Sequence, residues 1–197
     1  VLTGCTGAKT ASRLRLGVAG EGGVYHAFGE AYAALENETQ NGTVEPRTTA
    51  GSTANLRLLL GEYLQLAIAQ ADLVQDAYNQ TGIFAEEEGR SFGAVAALYP
   101  EACQVIVRED ADIQTVEDLQ GRTVSIGAEE SGSEQNARQI LAAYGLNDKL
   151  VNTVNLNYED AAAQLRAGKI DAMLITSGAP STVVAELAGE CGIRLLN

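Results

Sequence analysis

The chain has 197 residues, 46% of them hydrophobic and 20% charged, with 21 glycines against three prolines. That length suffices for one large domain or two small lobes around a real core, and no apolar run is long enough to span a membrane. Thirteen basic against 26 acidic residues give a formal charge of −13; with no Lys/Arg cluster to release counterions, nucleic acid is excluded as a natural partner.

At the N-terminus, Leu2-Thr3-Gly4-Cys5 has the form of the lipidation box of bacterial lipoproteins, followed by a polar tether at residues 6–12. The expectation is an exported protein anchored by lipid at Cys5. Residues 14–19 alternate like a strand and run through Gly20-Glu21-Gly22-Gly23 into a helix with Val24, Ala27, Phe28, Ala31 and Leu35 on one face. Residues 44–49 read as a second strand, leading through Ala50-Gly51-Ser52-Thr53 into a helix carrying Leu56, Leu59 and Leu60. A third strand at 64–69 is followed by a helix reaching Tyr78. Residues 81–90 form a solvated loop, and the apolar run at 93–99 reads as a strand ended by Pro100.

A change of lobe is expected near residue 102. Residues 103–108 read as a strand, and 115–119 as a short helix closed by Gly121. The most informative unit comes next: a strand at 122–127, the turn Glu130-Ser131-Gly132-Ser133, and a helix with Ala137, Ile140, Leu141 and Tyr144 on one face. Ser131 and Glu134 have capping-box spacing. Free N–H groups and the positive end of the helix dipole then face the carboxyl end of the strand, where open α/β sheets bind ligands. Ser131 is either a plain N-cap or part of such a site. A strand at 151–156, a helix at 158–167, a strand at 170–175, the turn Thr176-Ser177-Gly178, a helix with Val183, Val184 and Leu187, and a strand at 193–196 complete the chain. Alternation of strand and helix predicts parallel sheets covered on both faces.

The turns at 20–23, 50–53, 130–133 and 176–178 share one chemistry, each following a strand, preceding a helix and built largely from Gly, Ser and Thr. Two lie in each half, so they are expected to converge on one cleft between lobes. None continues into Gly-Lys-Ser/Thr, which excludes a phosphate loop, and the first lacks full dinucleotide-binding spacing. The single histidine, His26, builds no catalytic triad, and no acid/base carboxylate pair stands out. It reads as a helix-face or cleft-rim residue. Without C-x-x-C spacing a zinc site has no support. Cys103 and Cys191 could pair in an exported protein, or stand as buried free thiols.

Leu16-Gly-Val-Ala-Gly-Glu-Gly-Gly-Val-Tyr25, Gly51-Ser-Thr-Ala-Asn-Leu56, Ala96-Ala-Leu-Tyr-Pro-Glu101, Asp118-Leu-Gln-Gly-Arg-Thr-Val-Ser-Ile-Gly127, Ser131-Gly-Ser-Glu134 and Thr176-Ser-Gly-Ala-Pro180 together resemble the TAXI family, the extracytoplasmic solute receptors of TRAP transporters. The resemblance implies an α/β, two-lobed type II periplasmic-binding-protein fold with parallel-rich sheets flanked by helices. It implies a tether at 1–13, a first lobe at 14–102 and a second at 103–197. It further implies that the chain should continue back into the first lobe, which is expected to be short of strands here. The implied function is to bind glutamate, glutamine or a related carboxylate in the interlobe cleft and deliver it to membrane components of the transporter. No catalysis, cofactor or metal is implied, and the location is the periplasm or outer face of the cytoplasmic membrane. By matching motif, the ligand-lining positions are Gly23, Val24, Tyr25, Ser52, Asn55, Gln70, Tyr99, Ser131, Ser133, Ser177 and Gly178. Tyr25 and Tyr99 could instead be core residues, and Asn55 and Gln70 backbone caps. Glu21, Glu129 and Glu130 depart from the family pattern and would repel a dicarboxylate unless they face solvent. A sensor domain of the same fold is the alternative, and a transferase a more distant one.

Overall fold

The computed structural model describes residues 13–39, 43–89 and 91–196; Cys5 and the tether lie outside them. In the first half, β1 (Arg13–Gly17), β2 (Thr43–Arg47) and β3 (Leu66–Ala67) form a parallel sheet in the order β2-β1-β3. Helices α1 (Val24–Thr39), α2 (Ser52–Leu60) and α3 (Ala71–Asn79) connect and cover it. In the second half, β4 (Ala102–Arg108), β5 (Thr123–Ser125), β6 (Asn152–Val154), β7 (Ala172–Ser177) and β8 (Ile193–Leu196) form a sheet ordered β6-β5-β7-β4-β8. Its helices are α4 (Gly132–Ala143), α5 (Tyr158–Arg166) and α6 (Thr182–Glu190).

The second sheet is a sandwiched layer. On β7, Ala172 and Leu174 face the cluster that includes Ala137 and Leu141 of α4. Met173 and Ile175 face the opposite cluster, with Ala161 and Leu165 of α5 and Leu187 of α6. All six residues of β7 are buried, which is why this strand reads as a continuous apolar run rather than an alternating one. The sheet is mixed, however. β4 runs antiparallel to both β7 and β8, whereas β5 is parallel to β6 and β7. β4 enters from the other half of the molecule rather than by a helical crossover, so nothing obliges it to run parallel.

Three further expectations are corrected. Residues 93–99 form no strand among the described residues, and Val95 and Leu98 are exposed. Its apolar composition resembles a strand's, but a strand also requires a neighbour's ladder, and none lies alongside. The face that α1 buries is also different. Gly29 and Ala33 are buried with Tyr25 and Tyr32 beside them, while Phe28 and Leu35 are exposed. Both faces of this helix are apolar, and close approach decides between them: a Cβ on Gly29 would collide with the Val18 side chain, so glycine lets α1 lie directly on β1.

Finally, of the two readings of Cys103 and Cys191 the unpaired one holds, but the free thiols are not buried: Cys103 is exposed and Cys191 half-buried. Cys103 pairs with Thr176 at one end of β4, and Cys191 lies two residues before Ile193, which pairs with Arg108 at the other end. Five residue steps along the strand separate those ends by roughly 17 Å, far beyond the ~4.4–6.8 Å between Cα atoms that a disulfide bridges.

Candidate functional site

The carboxyl ends of both sheets face one another across a cavity of about 420 Å³. All four small-residue segments reach its wall: Gly20, Glu21 and Gly23 with Val24 and Tyr25, Ala50 to Ser52, Ser131 to Ser133, and Thr176 with Ser177, which prove to be the last two residues of β7 rather than a turn. Helices α1, α2, α4 and α5 begin there, and Gln70, the N-cap of α3, joins them. The two halves also touch beside the cavity. Ala54 N–H donates to Glu130 O at 3.1 Å, Asn136 Nδ2 to Asp72 at 3.1 Å, and Arg57 pairs with both Glu87 and Glu130.

The α4 terminus is built as its sequence suggests, with one change. Ser131 Oγ accepts from Glu134 N–H at 3.0 Å, while Glu134 reaches back to Glu130 N–H at 2.8 Å rather than to Ser131. Glu130 adopts a left-handed conformation, φ 62°, which turns its own N–H toward that carboxylate. The first N–H groups of the helix, on Gly132 and Ser133, have no acceptor within the helix itself. Replacing Ser131 by alanine is expected to destabilise the protein by about 0.5–2 kcal/mol through the lost cap, read as a lower unfolding midpoint in denaturant.

The Ser133 hydroxyl is already engaged. It accepts from Thr176 N–H at 2.9 Å and lies 2.5 Å from Tyr158 Oη, which donates to Thr176 O at 2.7 Å. With the tyrosine proton on that carbonyl, the serine donates to the tyrosine. Burial pushes the Tyr158 hydroxyl up to about 12, against the lowering pull of its bonds with Ser133 and Thr176. What α4 presents to the cavity is therefore its N–H groups more than this hydroxyl.

On the other wall, Tyr25 Oη donates to Glu101 at 2.7 Å. Burial and then the adjacent carboxylate push the Tyr25 hydroxyl well up, and burial likewise raises the Glu101 carboxyl, with Asp72 adding and the Tyr25 bond opposing. An acid with a raised folded-state pKa holds its proton more tightly than the unfolded chain does. Stability then falls as pH rises from the ordinary carboxylate value through the raised one. Glu101→Gln, which keeps an acceptor for Tyr25, is expected to remove that slope and raise the melting temperature at pH 7. A melting temperature that drops would contradict it.

Of the positions marked in the sequence, Gly23, Val24, Tyr25, Ser52, Gln70, Ser131, Ser133 and Ser177 line the cavity. Asn55, Tyr99 and Gly178 do not. Asn55 is fully buried, with Oδ1 accepting from Thr49 Oγ1 at 2.6 Å and Nδ2 donating to Ile68 O at 2.9 Å. Thr49 Oγ1 in turn accepts from Ala19 N–H at 3.2 Å, so one side chain ties together the ends of all three strands of the first sheet. The Tyr99 ring packs edge-on against Tyr25, with centroids 6.3 Å apart, and against Gly178, where a Cβ would come within 3.0 Å of it. These two residues back the wall without forming it. His26 is half-buried on α1 and off the wall, and Glu129 and Glu130 also stay off it, whereas Glu21 does not.

Sequence reading missed Glu101 and the Asn157-Tyr158-Glu159 turn, all on the wall. A signal for the turn existed: Asn157 caps α5 by accepting from Asp160 N–H at 2.8 Å, a strand–cap–helix unit like the others. Its residues are large and polar, unlike the Gly, Ser and Thr of the other segments.

Solved structures share this architecture. The periplasmic aliphatic sulphonate binding protein SsuA from Escherichia coli is 21% identical, with TM-score 0.58 over 94% of this chain and 60% of that one. A binding protein component of an ABC phosphonate transporter from Pseudomonas aeruginosa is 11% identical, with TM-score 0.66 over 95% and 65%. An ancestral arginine-binding protein bound to arginine is 15% identical, with TM-score 0.63 over 95% and 80%. At such identities the likeness is one of fold, that of periplasmic binding proteins, and this chain spans under two thirds of the length of the first two. The family is established separately: this chain belongs to the NMT1-like family, whose model matches residues 16–197.

Proposed function

We propose that this chain is the ligand-binding part of an extracytoplasmic solute receptor that closes two lobes, residues 14–102 and 103–197, around a small carboxylate. The observation that carries the reading is the convergence of the four small-residue turns on one cavity. Its size of about 420 Å³ falls within the ~300–1,000 Å³ typical of small-molecule sites. Helix N-termini around the wall supply N–H donors and favourable dipoles for a carboxylate. Gly23, Val24, Tyr25, Ser52, Gln70, Ser131, Ser133 and Ser177 are the proposed contacts. Asn55, Tyr99 and Gly178 act by holding them. No acid/base pair or nucleophile is placed by this reading, and the protein binds without turnover.

The TAXI-type motifs support the narrower reading: glutamate, glutamine or a related organic acid as solute, and the membrane components of a TRAP transporter as partners. The receptor works in the periplasm or at the outer face of the membrane, held by lipid at Cys5, a residue outside the described ones. A thermal-shift screen of amino acids, keto acids and dicarboxylates tests it. A true ligand at a hundred times its dissociation constant should add about 2.7 kcal/mol. A ligand recovered chemically changed would defeat the receptor reading.

A further inference from the structure

The wall of the cavity carries two poles. Backbone N–H groups at the starts of the surrounding helices favour negative charge. Yet the charged side chains among the described wall residues are Glu21, Glu101 and Glu159, with no lysine, arginine or histidine to balance them. Glu21 and Glu159 are exposed, whereas Glu101 is half-buried, and among the described residues it has no basic partner. Its bond from Tyr25 occupies Oε2, leaving Oε1 to accept. Gln70 makes a second demand of the same kind. It is 8% exposed, its Oε1 is buried without a hydrogen-bond partner, and the amide lies hard against Gly132 on the opposite wall. Ser52, which accepts from Gln70 N–H at 3.1 Å, also bears on the Tyr25 hydroxyl, so both open acceptors belong to one corner of the site.

A buried acceptor left unpaired is costly, and a carboxylate out of water more so. What satisfies both oxygens is a group with several N–H donors and a positive charge. We propose that the solute is a zwitterion, with its carboxylate on the Gly132 and Ser133 N–H groups and a protonated amine between Glu101 and Gln70. This rests on the solute-receptor reading and narrows it. A ligand with one carboxylate and one ammonium matches the two poles. A dicarboxylate or keto acid brings a second anionic or acceptor group to oxygens that can only accept. Neutral α-amino acids are favoured over glutamate, since Glu21 and Glu159 at the rim repel extra negative charge.

The test is titration calorimetry on the full-length protein with the twenty L-amino acids, each beside its des-amino carboxylate, followed by the tightest pair on Glu101→Gln and Gln70→Leu. The expected result is that an amino acid without net negative charge binds best, and its des-amino partner at least a hundredfold more weakly. Glu101→Gln should cost the amino acid tenfold or more and shrink the gap within the pair, while ligand-free stability holds or rises. That combination separates recognition of the amine from a merely structural role. A des-amino partner binding as tightly as its amino acid overturns this inference and leaves the receptor standing. So does unchanged affinity in Glu101→Gln. Binding by no member of the panel, nor of the wider acid screen, overturns both.

Discussion

Replacing Asn55 by leucine is expected to destabilise the protein by about 2–6 kcal/mol, the sum of ~1–3 for each of two buried polar groups left unpaired. The groups are Ile68 O, which loses its donor, and the Thr49 hydroxyl, which loses its acceptor. Leucine adds no compensation, since Gly17 is already close enough that a Cβ there would strike the Asn55 side chain. In a chain of 197 residues, at about 2–4 °C per kcal/mol, this corresponds to a fall in melting temperature of about 4–24 °C. Affinity should fall too, because Ala19 and Thr49, which Asn55 holds, lie on the cavity wall. Calorimetric unfolding with and without ligand checks this. An unchanged melting temperature together with lost affinity would mean that Asn55 touches the solute directly.

Gly51→Ala should affect closure most. Gly51 caps α2 at φ 135°, ψ −152°, a region that essentially only glycine enters, at a cost of about 1–3 kcal/mol for other residues. Its added methyl would also sit 3.1 Å from Ser131 Cα and 3.2 Å from Ser131 Cβ, at the point where the two halves meet. One wall must then move by a few tenths of an ångström. The expected outcome is a clear loss of stability and at least a tenfold loss of affinity. Gly20→Ala is the control on the same cavity. Nothing lies within 4 Å of where a Cβ would stand at Gly20, so the stability of this variant should stay within about 0.5 kcal/mol of wild type. Equal behaviour of the two variants in parallel melts and titrations would refute the importance of the Gly51–Ser131 contact.

The features that were legible in the chain are those that local physics settles. Ser131 and Glu134 are three residues apart, and their hydrogen bonds depend on little beyond the helix they begin. Of the face predicted by apolar spacing, Ala137 and Leu141 are buried and Ile140 is half-buried, whereas Tyr144, at the end of the helix, is exposed. The convergence of four turns follows from strand–turn–helix order, because parallel strands place their carboxyl ends together. Caps and helix faces need no knowledge of distant residues, whereas the facing of the two sheets across one cavity is tertiary.

Other features depend on what packs against what. Asn55 and Ser52 sit on the same first turn of α2, yet only Ser52 reaches the cavity, and the choice is made by Thr49 and Ile68 arriving from other strands. α1 offers two apolar faces, and Val18 selects the one with Gly29. β4 runs antiparallel because of where the chain enters the second sheet, and the same register holds Cys103 and Cys191 apart. Glu101, a lone carboxylate after Pro100, becomes a charged wall of the cavity only once α1 brings the Tyr25 hydroxyl to it across 76 positions of sequence. Caps, periodicity and turn chemistry act over a few residues and can be read from them. The direction in which a side chain finally points is settled by long-range packing, in which each contact competes with alternatives of similar energy.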